Sequence, residues 1–235
     1  MGRVDSGRRG FLSCPWKYRN WLPPLTFFDS PLRLGVLASG RGSNFAAILD
    51  AIEAGGLPAT VVIVVSDRPE AVALERARLH GIATAVVVPR EYPDRGAFDG
   101  AVVERLQAAG VQLVVLAGFM RLVTPAFLAA FPGRVLNIHP ALLPSFPGLH
   151  AQRQAIEYGV KVSGCTVHVV DEGVDTGPIL LQRAVEVRDD DDEESLAARI
   201  LVEEHKLYPE VIRRIAEGEI RLPGLAPTPR TEEVA

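Results

Sequence analysis

Cysteine is the scarcest signal in this 235-residue chain: only Cys14 and Cys165 occur, far apart and without metal-ligand spacing. That excludes a disulfide framework and a thiolate metal centre, and it fits a reducing, cytoplasmic setting. No apolar run approaches the roughly 20 residues that span a bilayer. Charge of either sign is not in excess, with a net charge of −4 and a pI near 5.8. A partner held by strong electrostatics, nucleic acid or an anionic membrane, is therefore not expected. Internal repeats and an interdomain linker are missing as well. What is present is 48% hydrophobic residues in a length suited to one substantial core.

The first 31 residues carry Arg3, Arg8, Arg9, Lys17 and Arg19 and both tryptophans, Trp16 and Trp21, with no uninterrupted apolar segment of a secretory signal. They read as a disordered extension, with a docking or oligomer-contact arm as the alternative. Regular patterning begins at Arg33. Apolar and β-branched runs predict strands over Arg33–Ala38, Thr60–Val65, Ala83–Val88, Gln112–Leu116, Arg134–Ile138, Gly164–Val170 and Ile179–Val187. Helical spacing predicts helices over Asn44–Ala54, Pro69–His80, Arg95–Ala109, Thr124–Phe131, Ala151–Tyr158 and about Glu194–Glu217. This alternation implies an α/β fold: a single domain over 32–222 with a doubly wound, mostly parallel sheet of about seven strands. The proline-rich residues 223–235 read as a disordered tail.

In such a sheet, ligands bind at the carboxyl ends of the strands near the switch in strand order. Three unusual segments fall at such ends. Ser39-Gly40-Arg41-Gly42-Ser43-Asn44 joins a strand to a helix start, where glycines and free amide hydrogens suit a phosphate. It has no lysine, so it is not a nucleotide P-loop. Phe45 stands where a dinucleotide fingerprint needs its third glycine, although Asp67 keeps a ribose-binding reading open. Gly118-Phe119-Met120-Arg121-Leu122-Val123 offers loop backbone to a flat heterocycle, or Met120 is simply core. The third segment contains Asn137 and His139, two apart on an extended stretch and so facing the same way.

Asn137 can donate to a carbonyl and His139 can move a proton, though an Asn that caps a turn and a satisfied buried His remain alternatives. Asp175 lies in a Gly/Asp loop well placed to reach His139 and raise its pKa, or is a solvated loop acid. His168 is read as facing or flanking the pocket. Neither it nor His150 has metal-ligand spacing, and no metal is expected. The six acids Asp189–Glu194 are read as a solvated turn that places negative charge at the last helix start.

Taken together, Gly40–Asn44, Leu116–Arg121, the Asn137–His150 loop and Asp175-Thr176-Gly177-Pro178 resemble the phosphoribosylglycinamide formyltransferases of de novo purine synthesis. The resemblance runs from about Leu32 to Leu222 and implies a Rossmann-like formyltransferase fold. It implies formyl transfer from 10-formyltetrahydrofolate, as co-substrate, to the glycinamide amine of phosphoribosylglycinamide, with no metal. It further implies Asn137, His139 and Asp175 as catalytic residues, and Gly42, Ser43, Asn44 and Glu204 at phosphoribosylglycinamide. Folate would lie against Arg95, Met120, Arg121, Leu122, Val123, Asn137 and the loop Asp171, Glu172, Gly173, Val174, Asp175, where Gly173 is an extra glycine relative to the family. The expected partners are small molecules, with a homodimer left open. Formyltransferases acting on methionyl-tRNA and formyl-folate hydrolases share the Asn/His/Asp chemistry. They normally carry an additional domain, for which this chain is expected to have no room.

Removal of residues 1–31 is expected to leave folding and turnover near normal, because the first strand starts only at Arg33. An insoluble or inactive truncated protein with an altered oligomeric state would make the Trp16/Trp21 arm structural.

Overall fold

The computed structural model describes residues 30–225. The expectations for residues 1–29 and 226–235 lie outside the described residues. Seven strands form one sheet: β1 (Leu32–Leu37), β2 (Ala59–Ser66), β3 (Ala83–Val86), β4 (Leu113–Leu116), β5 (Val135–His139), β6 (Val162–Val169) and β7 (Ile179–Glu186). Their order is β3-β2-β1-β4-β5-β6-β7. The first five run parallel, and β6 is antiparallel to both of its neighbours. Strand order reverses between β1 and β4, so the crevice for a ligand opens beyond their carboxyl ends.

Six helices cover the sheet: α1 (Ser43–Glu53), α2 (Val72–Leu79), α3 (Arg95–Ala108), α4 (Pro125–Ala130), α5 (Ala151–Tyr158) and α6 (Glu193–Ala216). Because strand side chains alternate between faces, the two faces build separate cores. Leu113 and Val115 join Leu136, Phe45, Ile48, Leu74 and Leu207 on the α1/α2/α6 side. Val114 and Leu116 join Val135, Phe98, Leu106 and Phe127 on the α3/α4 side. In β5 the same alternation puts Leu136 and Ile138 in the first core. Asn137 and His139 therefore project on the opposite face, at the end of the strand.

Differences from the expected elements have local causes. Helix α2 begins at Val72 rather than Pro69, because residues 68–71 are used for a turn (Ala71 N to Arg68 O, 3.2 Å) and Ala73 N is tied to Gly40 O at 3.2 Å. Strand β3 stops at Val86, and Pro89–Glu91 forms a 3₁₀ turn that the apolar pattern does not announce. The acidic run is more than a solvated turn: Asp192 caps α6 reciprocally with Ser195, and Asp191 is bound by Arg199 and the Arg188 N–H. The packed chain also continues past Leu222 to Leu225, which is buried. Among the described residues, no helix is long and apolar enough to cross a membrane.

Tyr208 locks α6 to the sheet. It is fully buried, and its hydroxyl lies 3.0 Å from the carbonyl oxygens of both Leu116, at the end of β4, and Leu136, within β5. Tyr208→Phe leaves the ring packing but removes the only hydroxyl donor these carbonyls share. It should cost about 1–2 kcal/mol in urea unfolding with the slope unchanged; an unshifted midpoint would show that the bond contributes nothing.

Candidate active site

The turn from β1 into α1 is built by glycine. Gly42 sits at φ +65°, and a Cβ there would lie 2.7 Å from the Ala73 Cβ, so both backbone and packing demand a residue without a side chain. As the N-cap it supplies no side-chain bond, and the first amide hydrogens of α1 are left for a guest. Gly40, Gly42, Ser43 and Asn44 line a cavity of ≈ 280 Å³ flanked by Arg41 and Arg68. Arg68 was not singled out in the sequence, although a cation directly after a parallel strand is a detectable signal. Asp67 beside it is buried, with an Oδ1 that has no hydrogen-bond partner.

At the cavity wall the Asn44 amide turns toward α6. Its Nδ2 donates to Glu204 Oε2 at 2.7 Å, which joins α1 to α6, and its Oδ1 is buried without a partner. Burial pushes the Glu204 carboxyl above its ordinary pKa, partly offset by the Asn44 bond. Two residues distant in sequence are thus brought together, each with unspent hydrogen-bonding capacity.

Asn137, His139 and Asp175 converge. Asp175 Oδ2 lies 3.2 Å from His139 Nδ1 and accepts from the Gly148 N–H at 2.8 Å, while its Oδ1 faces Asn137 Nδ2 at 3.4 Å and His168 Nε2 at 3.5 Å. His139 Nε2 is 2.8 Å from the Phe146 carbonyl, which can only accept, so that nitrogen carries a hydrogen. Phe146, His150 and Asp175 are the non-glycine residues with positive φ among the described residues, all in the two loops around this cluster. Thr166 holds the first loop down: its hydroxyl donates to Ala141 O and accepts from Leu143 N and Gln182 Nε2.

The expected rise in the His139 pKa does not occur. Burial pushes the imidazole below its ordinary value, His168 adds to this, and the Phe146 carbonyl and Asp175 pull it back only in part. Asp175 behaves oppositely. Burial pushes its carboxyl up, but His168, the Gly148 N–H and His139 outweigh it and hold Asp175 below the usual carboxylate range. The resting pair is thus a carboxylate beside an imidazole that favours neutrality.

The residues expected at folate fall into two groups. Met120, Leu122 and Val174 are 65%, 57% and 44% exposed, apolar surface a heterocycle can cover. Arg95, by contrast, is already engaged: its guanidinium donates to the carbonyls of Leu122 and Val123, bracing the segment from behind. Arg121 lies over the Phe98 ring at 5.0 Å, and Met120 N donates to Ser39 Oγ at 3.0 Å, joining the loops after β4 and β1. In the last loop Asp171 accepts from the Gly173 N–H (3.1 Å) and the Thr176 hydroxyl (2.7 Å). A Cβ on Gly173 would lie 2.0 Å from Thr176 Oγ1, so the extra glycine permits this closure. Glu172 stays exposed, and no folate contact of its own follows from its position.

A sequence model of the formyl transferase family matches residues 32–212. The chain belongs to this family. It is 44% identical over 183 residues to phosphoribosylglycinamide formyltransferase of Bacillus subtilis, covering 78% of this chain and 94% of that one. It is 47% identical over 188 residues to the trifunctional purine biosynthetic protein adenosine-3 of Drosophila melanogaster, covering 79% of this chain but only 14% of that longer protein. Among solved structures, glycinamide ribonucleotide transformylase 1 from Symbiobacterium toebii is 57% identical with a TM-score of 0.80, over 83% of this chain and 92% of that one.

The protonation balance is directly measurable. In NMR titration His139 should have a midpoint below about 6.5, and Asp175→Asn should lower it further, since the lost charge was one that pulled it upward. A midpoint above the ordinary value, or an upward move in Asp175→Asn, would reverse the electrostatic account.

Proposed function

We propose that this chain transfers a formyl group from 10-formyltetrahydrofolate to the glycinamide amine of phosphoribosylglycinamide, as a cytoplasmic enzyme of purine biosynthesis. The observation that carries this reading is the convergence of Asn137, His139 and Asp175 at the carboxyl end of β5, in a sheet whose uncapped α1 start and two arginines form an anion cradle. The relatives named for this activity support it.

The amide hydrogens of α1 and the Arg41 and Arg68 side chains neutralise the ribose phosphate. Glu204, with Asn44, holds the glycinamide end through their unspent acceptors. Attack of the neutral amine on the formyl carbon forms the new C–N bond and a tetrahedral oxyanion, to which an Asn137 N–H donates. His139, whose Nε2 bears the hydrogen, donates it as a hydrogen bond to the oxyanion in place of the Phe146 carbonyl. The proton leaving the attacking nitrogen is taken by the Asp175 carboxylate through water and passes to the folate nitrogen as its bond to carbon breaks, which regenerates the carboxylate.

The test is formyl transfer from 10-formyltetrahydrofolate to phosphoribosylglycinamide, methionyl-tRNA and water, compared in one assay. Transfer to phosphoribosylglycinamide should dominate. Asn137→Ala should lower kcat by roughly a hundred- to a thousandfold, about 3–4 kcal/mol, as expected for a lost oxyanion donor. Preferred transfer to tRNA or water would overturn the assignment, and a fully active Asn137→Ala would overturn the mechanism.

A further inference from the structure

His168 has no part in the scheme above, yet it is 2% exposed and stands against two of the three reacting side chains. It lies directly across from Asn137 in the antiparallel β5/β6 pair. Cys165, Val167 and Val169 point into the α6-side core, which turns His168 to the face that carries Asn137. The pairing of β6 with β7 shifts at this residue, Val167 opposing Leu181 and His168 opposing Ile179. The extra residue, Leu180, belongs to β7, and such irregularities recur beside active sites.

The hydrogen positions follow from the partners. His168 Nδ1 is 3.1 Å from the Val169 carbonyl, which can only accept, so Nδ1 bears the hydrogen. In the neutral ring Nε2 then presents a lone pair, 3.2 Å from Asn137 Nδ2; Asp175 Oδ1, 3.5 Å away, gains from His168 only when the ring is charged. The amide has two hydrogens on that nitrogen: one goes to His168, and the other faces Asp175 Oδ1 at a long 3.4 Å. Flipping the amide would bring Asn137 Oδ1 against two acceptors at once, the imidazole lone pair and the Asp175 carboxylate. Both contacts would be repulsive.

We infer that His168 is a positioning residue: as an acceptor it fixes the orientation of the Asn137 amide, so that the nitrogen and not the oxygen faces the reacting carbon. Asp175 alone sets this preference weakly, because its bond to Asn137 is long and its Oδ2 is engaged by Gly148. The hydrogen aimed at Asp175 is the one released to the oxyanion. His168 thus acts on the transition state through Asn137 without touching substrate. The inference rests on the formyl-transfer reading for its kinetic arm only.

The experiment compares His168→Leu and His168→Gln in the full chain, with folding checked by circular dichroism. In His168→Leu, kcat should fall about ten- to a hundredfold, less than for complete loss of an oxyanion donor, while KM for both substrates stays within about twofold. His168→Gln keeps a side-chain acceptor and should recover most of that loss. In the Asn137→Ala background the His168→Leu effect should largely vanish. Equal losses in the Leu and Gln variants, a wild-type kcat in His168→Leu, or strictly additive losses would overturn the proposal. A second measurement is independent of both activity and folding of the variants: ¹⁵N NMR of the wild-type chain at about pH 8 should place the His168 hydrogen on Nδ1. Hydrogen on Nε2 instead would overturn the inference. A wild-type chain that transfers no formyl group would overturn the activity reading alone, since the tautomer remains measurable.

Discussion

The arrangement at the end of β5 depends on one half-buried carboxylate. Asp175 is held in a left-handed backbone conformation and receives the Gly148 N–H, while three side chains from two strands, Asn137, His139 and His168, close around it. An unpaired carboxylate in that position would be costly, and neutralising it would remove the reason for its neighbours to stay. The loop after β5 and the loop before β7 are therefore joined by charge rather than by apolar contact. The sheet supplies only the spacing: Asn137 and His139 lie on one face because Leu136 and Ile138 must lie on the other.

Much of this was legible in the chain. The strand and helix periods recover the seven strands and six helices of the described residues, because each strand is a short run rich in apolar residues and each helix ends near a glycine or proline. The Asn-x-His spacing transmits directly into a shared face, a consequence of the pleat alone. What the sequence could not convey was the balance of opposing effects. A carboxylate beside an imidazole suggests a raised pKa, yet the depth of burial reverses the sign, and depth is a property of the assembled fold. Arg95 illustrates the same limit. The family resemblance puts it at folate, and only the fold reveals the carbonyls of Leu122 and Val123 that its guanidinium meets. His168 escaped a role because its significance lies in cross-strand registry with Asn137, a pairing set by an antiparallel turn-back that periodicity alone does not determine.

Helix α6 couples the start of α1 to the strands of the sheet. Tyr208 reaches the Leu116 carbonyl at the end of β4 and the Leu136 carbonyl in β5, while Glu204, one turn earlier, meets Asn44 at the start of α1. One rigid element thereby fixes the anion cradle relative to the strand that carries Asn137 and His139. Its own start is secured by the Asp192–Ser195 capping box and by the Arg199–Asp191 pair.

The contrast with α1 is instructive. Helix α6 closes its first turn with its own side chains, whereas α1 begins at a glycine that offers none. A helix whose opening amides have no internal partner is an unfinished element, and an anion that docks there completes it. The order of the first turn of α1 is therefore set partly by the surrounding solution. An anion bound there would raise the rigidity of the helix with its own occupancy, and would stabilise the fold by mass action.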